Sequence, residues 1–305
     1  MLVGFLILPQ CENLQKDLES KSIVKVCGAY DSMSAKLVEL YGFDAIWAGS
    51  FAISAIHNVP DASILTMTEF FTAASNMAHA CEIPVIADCD TGYGDATNVR
   101  YMVKKYESAG IAGICIEDKT FPKQNSLLEN GKNELLSEKD FVSKIIAGKK
   151  AKQNNDFMII ARVEALISGK GMTEAMKRAT AYEESGADAI LIHSKKKTPE
   201  EIFEFSERWT GNVPIVVVPT TYDSVGIDEL IAHKIKVVIH ANQTLRVAHY
   251  YMSKFLEKMN KTNSLRDIKE PMSSMEDIFE IQEMYDIKSK EKEIEEELKK
   301  LGYIS

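Results

Sequence analysis

Pro84-Val85-Ile86-Ala87-Asp88-Cys89-Asp90-Thr91-Gly92-Tyr93-Gly94 passes from an apolar run straight into carboxylates and glycines. An apolar run of this length reads as a strand buried on both faces, with the polar residues at its C-terminal end forming a functional rim. The pattern recurs along the chain. Val- and Ile-rich strands are expected at 23–27, 45–48, 84–87, 113–116, 158–161, 189–192, 215–218 and 237–239. Helical spacing is expected between them at 34–41, 68–80, 96–108, 139–153, 172–185 and 199–208. Gly42, Gly110 and Gly186 follow three of these helices, where a left-handed cap costs a glycine least. Eight βα units predict an α/β fold, a (β/α)8 TIM-type barrel. An open doubly wound sheet is the runner-up, but the chain lacks the GxGxxG turn such sheets often use for dinucleotides.

The expected organisation is an N-terminal extension and helix over 1–22, the barrel over 23–258, and a C-terminal helical extension over 259–305. Residues 1–8 are apolar, yet they lack a basic flank and are too short for a membrane span. A packed or mobile extension is therefore expected there, with a cleaved signal peptide the minor alternative. The Lys/Glu-rich run 288–300 reads as a solvated helix face. A net charge of -9, from 45 acidic and 36 basic residues, disfavours nucleic acid and anionic membranes as partners. Cys11, Cys27, Cys81, Cys89 and Cys115 are odd in number and lack CxxC spacing. They indicate neither a disulfide framework nor a zinc knuckle and fit the reducing cytoplasm.

In a barrel of this kind the chemistry comes from the C-terminal ends of the strands. Here those ends carry Asp88 and Asp90, then Glu117, then Arg162, then His193, with Asp61 in the loop after the second strand. If the third strand continues through Asp90, alternation puts Asp88 and Asp90 on one face, beside Glu117 from the next strand. Carboxylates without neighbouring His or Cys favour Mg2+, or Mn2+, over zinc. Each acid alone could instead cap a helix or pair with Lys or Arg. Arg162 and His193 add cationic or donor groups suited to a phosphate or carboxylate. Cys89 is expected to point away as a buried thiol, Tyr93 either to pack or to touch substrate, and His57 and His79 to pack.

Glu117-Asp118-Lys119-Thr120-Phe121-Pro122-Lys123-Gln124-Asn125-Ser126 is the most specific stretch, and it resembles the EDKxFPKxNS signature of the phosphoenolpyruvate mutase family. The resemblance runs from about Ile23 to Arg246. It takes in Trp47, Asp61, Asp88 to Gly94, Ala161-Arg162-Val163-Glu164-Ala165, His193-Ser194-Lys195-Lys196, Pro219-Thr220 and Ala241 to Arg246. It implies a magnesium-dependent barrel of the isocitrate lyase superfamily that interconverts phosphoenolpyruvate and phosphonopyruvate. It also implies a last helix exchanged between subunits of a homotetramer, a dimer of dimers. By position, Asp88 would be the principal magnesium ligand, while Asp61, Asp90 and Glu117 would hold metal-bound water or orient substrate. Lys123, Asn125 and Ser126 would lie on a gating loop, with Arg162, His193, Trp47, Gly49 and Ser50 contacting substrate. Asp61 could be a nucleophile or a positioning group.

One departure concerns Gly49-Ser50, where better-known mutases place Ser-Gly. Phosphonopyruvate hydrolase, which shares the fold and metal site, is the nearest alternative; its pattern has Thr where this chain has Asn125. A carbon–carbon lyase of the superfamily would carry a catalytic cysteine in a KKCGH-like loop, against Lys123-Gln124-Asn125-Ser126 here. A catalytically silent barrel acting as a binding module would not need the intact polar set.

Overall fold

The computed structural model describes residues 10–268 and 271–304; the apolar opening stretch 1–8 lies outside them. Eight strands form a closed barrel in chain order. They are β1 (Val24–Ala29), β2 (Ala45–Ala48), β3 (Val85–Asp88), β4 (Gly113–Glu117), β5 (Met158–Val163), β6 (Ala189–Ile192), β7 (Ile215–Val217) and β8 (Ile235–His240). All neighbours are parallel, and β8 closes on β1 with Val237 beside Val24 and His240 beside Cys27. Such a sheet must be covered on both faces. Ile86, Ile114, Ile160 and Ile190 are accordingly buried, each stabilising the fold by roughly 1.5–3 kcal/mol relative to exposure.

The helices are α1 (Gln10–Ser20), α2 (Ser32–Leu40), α3 (Ser50–Ile56), α4 (Met67–Ala80), α5 (Ala96–Ser108), α6 (Glu138–Lys149), α7 (Gly171–Glu184), α8 (Glu200–Arg208), α9 (Ile227–Ala232) and α10 (Gln243–Lys261). Local chemistry sets where they begin. The Asp31 carboxylate accepts from Ser34 N–H at 2.7 Å, and Asp95 accepts from Thr97 N–H at 2.8 Å. Ser137 Oγ accepts from Asp140 N–H at 3.1 Å. These bonds satisfy amides that the first helical turn leaves open. After α5, Gly110 takes φ 81°, which a side chain would strain. Helix α1 packs at the start of the barrel: Leu14 is buried, and Gln10 Nε2 donates to Ala78 O (3.0 Å) and Cys81 O (2.9 Å).

Register places the functional rim. Glu117 pairs with Arg162 across β4 and β5, and Asp88 pairs with Cys115 across β3 and β4. Carboxylates and guanidinium thus emerge at one level of the barrel mouth.

One compact unit runs through Arg246 and a second begins at Val247, so the boundary falls within α10. The second unit holds the rest of α10, a 3-10 turn at Leu265–Asp267, α11 (Met275–Ile281) and α12 (Asp286–Lys300). None of these helices carries a buried residue. On α12 the charges pair along the helix, Lys299 with Glu295 at 2.9 Å and Lys292 with Glu296 at 3.9 Å, as a solvated face does. No helix among the described residues is long and apolar enough to cross a membrane.

Candidate active site

The acids come first. Strand β3 ends at Asp88, Cys89 N–H still reaches Cys115 O at 2.9 Å, and Asp90 then takes φ 49°. The expected alternation of Asp88 and Asp90 therefore fails, because the strand stops between them. A turn, not the pleat, brings Asp90 back: its N–H donates to Asp88 Oδ1 at 3.2 Å, and its carbonyl accepts from Glu117 N–H at 2.8 Å. Ser50, at the start of α3, donates its hydroxyl to Asp88 Oδ2 at 2.9 Å. Burial pushes the Asp90 carboxyl up to about 7; Lys123 opposes the rise, while Asp88, Asp61 and Glu117 add to it.

The cations come from the loop between β4 and α6. A lone antiparallel bridge, Lys119 with Leu135, forms its stem, and Leu136 N–H donates to Asp118 O at 2.8 Å. The Phe121–Pro122 peptide within it is cis. Beyond that bond, Lys123 Nζ lies 2.7 Å from Asp61 Oδ1, 2.9 Å from Asp90 Oδ1 and 3.5 Å from Ser50 Oγ. Burial works against its charge, yet Asp90, Asp61, Glu117 and Asp88 hold the ammonium well above its ordinary pKa. Asn125 Nδ2 donates to Asp61 Oδ2 at 2.7 Å. Burial opposes the Asp61 charge as well, but Lys123 and Asn125 hold that carboxyl below its usual range, so it stays ionised near neutrality.

A third group joins β5 and β6 to the same loop. Ser126 Oγ donates to Glu164 Oε2 at 2.6 Å and accepts from Lys119 Nζ at 2.8 Å and Arg162 Nη2 at 3.1 Å. Glu164 Oε1 meets Arg162 Nε at 2.5 Å and His193 Nδ1 at 2.8 Å. Burial alone would raise the Glu164 carboxyl; Arg162, His193 and Lys119 hold it well below the carboxylate range. Burial, and then the Arg162 charge, push His193 below its ordinary pKa despite Glu164. At neutral pH His193 is thus an uncharged hydrogen-bonding group rather than a cation. Sequence reasoning gave no role to Glu164 or Lys119, although both lie inside the motifs it singled out. It had no signal at all for Arg178 Nη1 and Tyr182 Oη, which reach the buried Asp118 Oδ2 from α7 at 3.0 and 2.7 Å.

These elements enclose a cavity of about 360 Å³. Trp47, Gly49, Ser50, Asp61, Asp88, Lys123, Asn125, Ser126, Arg162 and His193 line it. Asp90 and Glu117 are buried nearby without lining it. The remaining candidates pack elsewhere. Cys89 is fully buried, and burial raises its thiol well above the ordinary value. Tyr93 stacks on Phe70, with its hydroxyl 3.4 Å from that of Tyr106. The ring nitrogens of His57 and His79 meet carbonyls one helical turn earlier, and Lys195 is exposed.

Among the described residues, no three His, Cys, Asp or Glu side chains converge tightly enough to hold a metal between them. The donor set fits a hard cation that keeps much of its own water, as Mg2+ does. Asp88 lines the cavity, while Asp90 Oδ1 and Glu117 Oε1 are buried without a hydrogen-bond donor. The Lys123 and Lys119 ammoniums face those two oxygens at 2.9 and 3.4 Å, as ion pairs out of hydrogen-bonding alignment.

Comparison with known proteins gives this geometry a context. A profile of the phosphoenolpyruvate phosphomutase family matches residues 14–260. A phosphonopyruvate hydrolase of Variovorax sp. (strain Pal2) is 42% identical over 270 residues, covering 88% of this chain and 93% of its own. The crystal structure of a phosphoenolpyruvate phosphomutase from Streptomyces platensis subsp. rosaceus is 43% identical, with a TM-score of 0.91, covering 93% of this chain and 98% of that one. A phosphonopyruvate hydrolase solved with oxalate and Mg2+ is 40% identical, with a TM-score of 0.86, covering 92% of this chain and 97% of that one.

Proposed function

The chain belongs to the phosphoenolpyruvate phosphomutase family, and we propose that it interconverts phosphoenolpyruvate and phosphonopyruvate. The observation that carries this reading is Asn125 Nδ2 donating to Asp61 Oδ2 at 2.7 Å, from a loop that lines the cavity with Lys123 and Ser126. Asparagine is the residue of the mutase pattern at this position, where the hydrolase pattern has threonine.

In the reaction the C=C electron pair of phosphoenolpyruvate forms a bond from C3 to phosphorus. The P–O bond breaks, and its electrons become part of the new ketone. No proton is gained or lost. Catalysis must then come from holding the phosphoryl group in place, dispersing its charge and excluding water. Lys123 and Arg162 supply the cationic donors, while Ser126 and His193, each hydrogen-bonded to Glu164, hold Arg162 in place. Both oxygens of Asp61 are engaged, by Lys123 and by Asn125, which favours a positioning carboxylate over a free nucleophile. Asp88 would hold Mg2+ or Mn2+, with Asp90, Glu117 and Asp61 acting through its water. When bound, that ion supplies charge neutralisation at the phosphoryl and enolate oxygens.

The exposed Val247, Tyr250, Tyr251 and Leu256 of α10 support a helix that packs on a second copy, in a dimer or a dimer of dimers. Five free, buried thiols fit a reducing cytoplasm.

The second reading, phosphonopyruvate hydrolase, is favoured by the 42% identity to the Variovorax enzyme. A coupled assay separates the two. With phosphonopyruvate as substrate, lactate dehydrogenase alone reports pyruvate, whereas pyruvate kinase and ADP must be added to report phosphoenolpyruvate. A signal that requires pyruvate kinase supports the mutase; an equal signal without it supports the hydrolase.

A further inference from the structure

Resting on that reading of the site, we propose that Ser50 is a positioning residue: its hydroxyl orients the Asp88 carboxylate toward the metal and ties it to Lys123 of the covering loop. Ser50 is 1% exposed, so water does not compete for its hydroxyl. A hydroxyl has one proton to give and lone pairs to accept with. Between a carboxylate and an ammonium its orientation is decided. The O–H goes to Asp88 Oδ2 at 2.9 Å, and Lys123 Nζ donates to Oγ at 3.5 Å, the long limit of such a bond.

The other oxygen of Asp88 accepts from Asp90 N–H at 3.2 Å. The carboxylate is thus held at both oxygens, by a backbone amide on one side and a side-chain hydroxyl on the other. Each oxygen keeps a lone pair for a further partner. Rotation about the Cβ–Cγ bond would break both contacts, so Asp88 is preset rather than searching for its orientation.

The order Gly49-Ser50 has a steric basis as well. A Cβ at Gly49 would lie 3.0 Å from both Cδ1 and Nε1 of Trp47, tighter than ordinary packing allows. One residue later, at the first position of α3, a side chain is accommodated and its hydroxyl reaches Asp88. The hydroxyl of this loop is therefore directed at the proposed metal ligand rather than at the Trp47 side of the cavity.

The test measures metal affinity, independently of which reaction the enzyme performs. Mn2+ binding to purified protein is followed by loss of the electron paramagnetic resonance signal of the free ion. Ser50→Ala is expected to weaken Mn2+ binding about tenfold while leaving Tm close to that of the wild type. Ser50→Thr, which keeps the hydroxyl, is expected to restore affinity to within about twofold of wild type. Ser50→Gly serves in place of Ala if that variant does not fold. Unchanged affinity in the variants lacking the hydroxyl, an equal loss in Ser50→Thr, or no Mn2+ binding by the wild type would each overturn the proposal. A failure of the functional reading looks different: wild-type protein that binds Mn2+ but turns over no phosphonopyruvate.

Discussion

Two parts of the site are held in different ways. Asp88 and Glu117 stand on β3 and β4, inside a ladder that closes on itself, so their positions follow from the barrel. Lys123, Asn125 and Ser126 stand on a loop whose stem is a single bridge; the side chains it sends into the cavity tie down the rest. Each such charge-assisted bond contributes roughly 1.5–3 kcal/mol. The acid wall is thus a property of the scaffold, and the cationic cover is a property of the wall. Removing an acid should abolish function and loosen the cover, whereas removing a loop residue should impair closure and leave the wall standing.

The largest effect is expected at the wall. Asp88→Ala should lower turnover of phosphonopyruvate by at least about a thousandfold, with initial rates showing the loss and Tm staying within a few degrees of wild type. Lys123→Ala should cost roughly a hundredfold in kcat, because one preorganised charge is gone while the cavity walls remain. Its loop should also be cut faster by trypsin, Lys132 being exposed. Asn125→Thr should cost about tenfold in mutase turnover and raise the share of inorganic phosphate among the products, measured by phosphate release. A variant with unchanged partition would mean that Asn125 does not govern water exclusion.

The smallest effect separates charge from position. In metal-free protein the folded-state pKa of Asp90 is raised from 3.8 to about 7, so the folded state holds that proton more tightly than the unfolded chain does. The group contributes fully below pH 3.8, and this contribution is lost as pH rises toward 7. Asp90→Asn, which stays neutral, should therefore melt several degrees above wild type at pH 8 in the presence of a chelator. The gap should shrink as pH falls through 7 and close near 4; a constant gap would contradict the sign of the shift.

Strand ends were legible because a buried strand announces itself in sequence. The runs 45–48 and 189–192 and the helix 96–108 coincide with β2, β6 and α5. Helices α3 and α9, of seven and six residues, are too short for helical spacing to register. Two alternatives left open by the sequence are decided by physical causes. Alternation was extended past the end of β3, where the left-handed Asp90 ends it. His193 was expected as a cationic or donor group, and burial beside Arg162 leaves it uncharged. Glu164 was visible in the motif, but its role is tertiary: it gathers Arg162, His193, Ser126 and Lys119 from separate segments. Arg178 and Tyr182 lie 60 and 64 residues beyond Asp118 in sequence, and no local pattern could place them.

The second unit teaches a complementary lesson. Its charged helix α12 reads as solvated and is, but the apolar Val247, Tyr250, Tyr251 and Leu256 of α10 stay exposed among the described residues. Amphipathic spacing alone does not say which molecule will cover such residues.

On the proposed reading, the site passes phosphorus from carbon to the enolate oxygen without losing it to water. Phosphorus NMR of the purified protein with phosphonopyruvate and Mg2+ measures this directly. The phosphonopyruvate resonance should be replaced by that of phosphoenolpyruvate, and Asp88→Ala should abolish the conversion. Accumulation of inorganic phosphate without phosphoenolpyruvate would contradict it and identify a hydrolase.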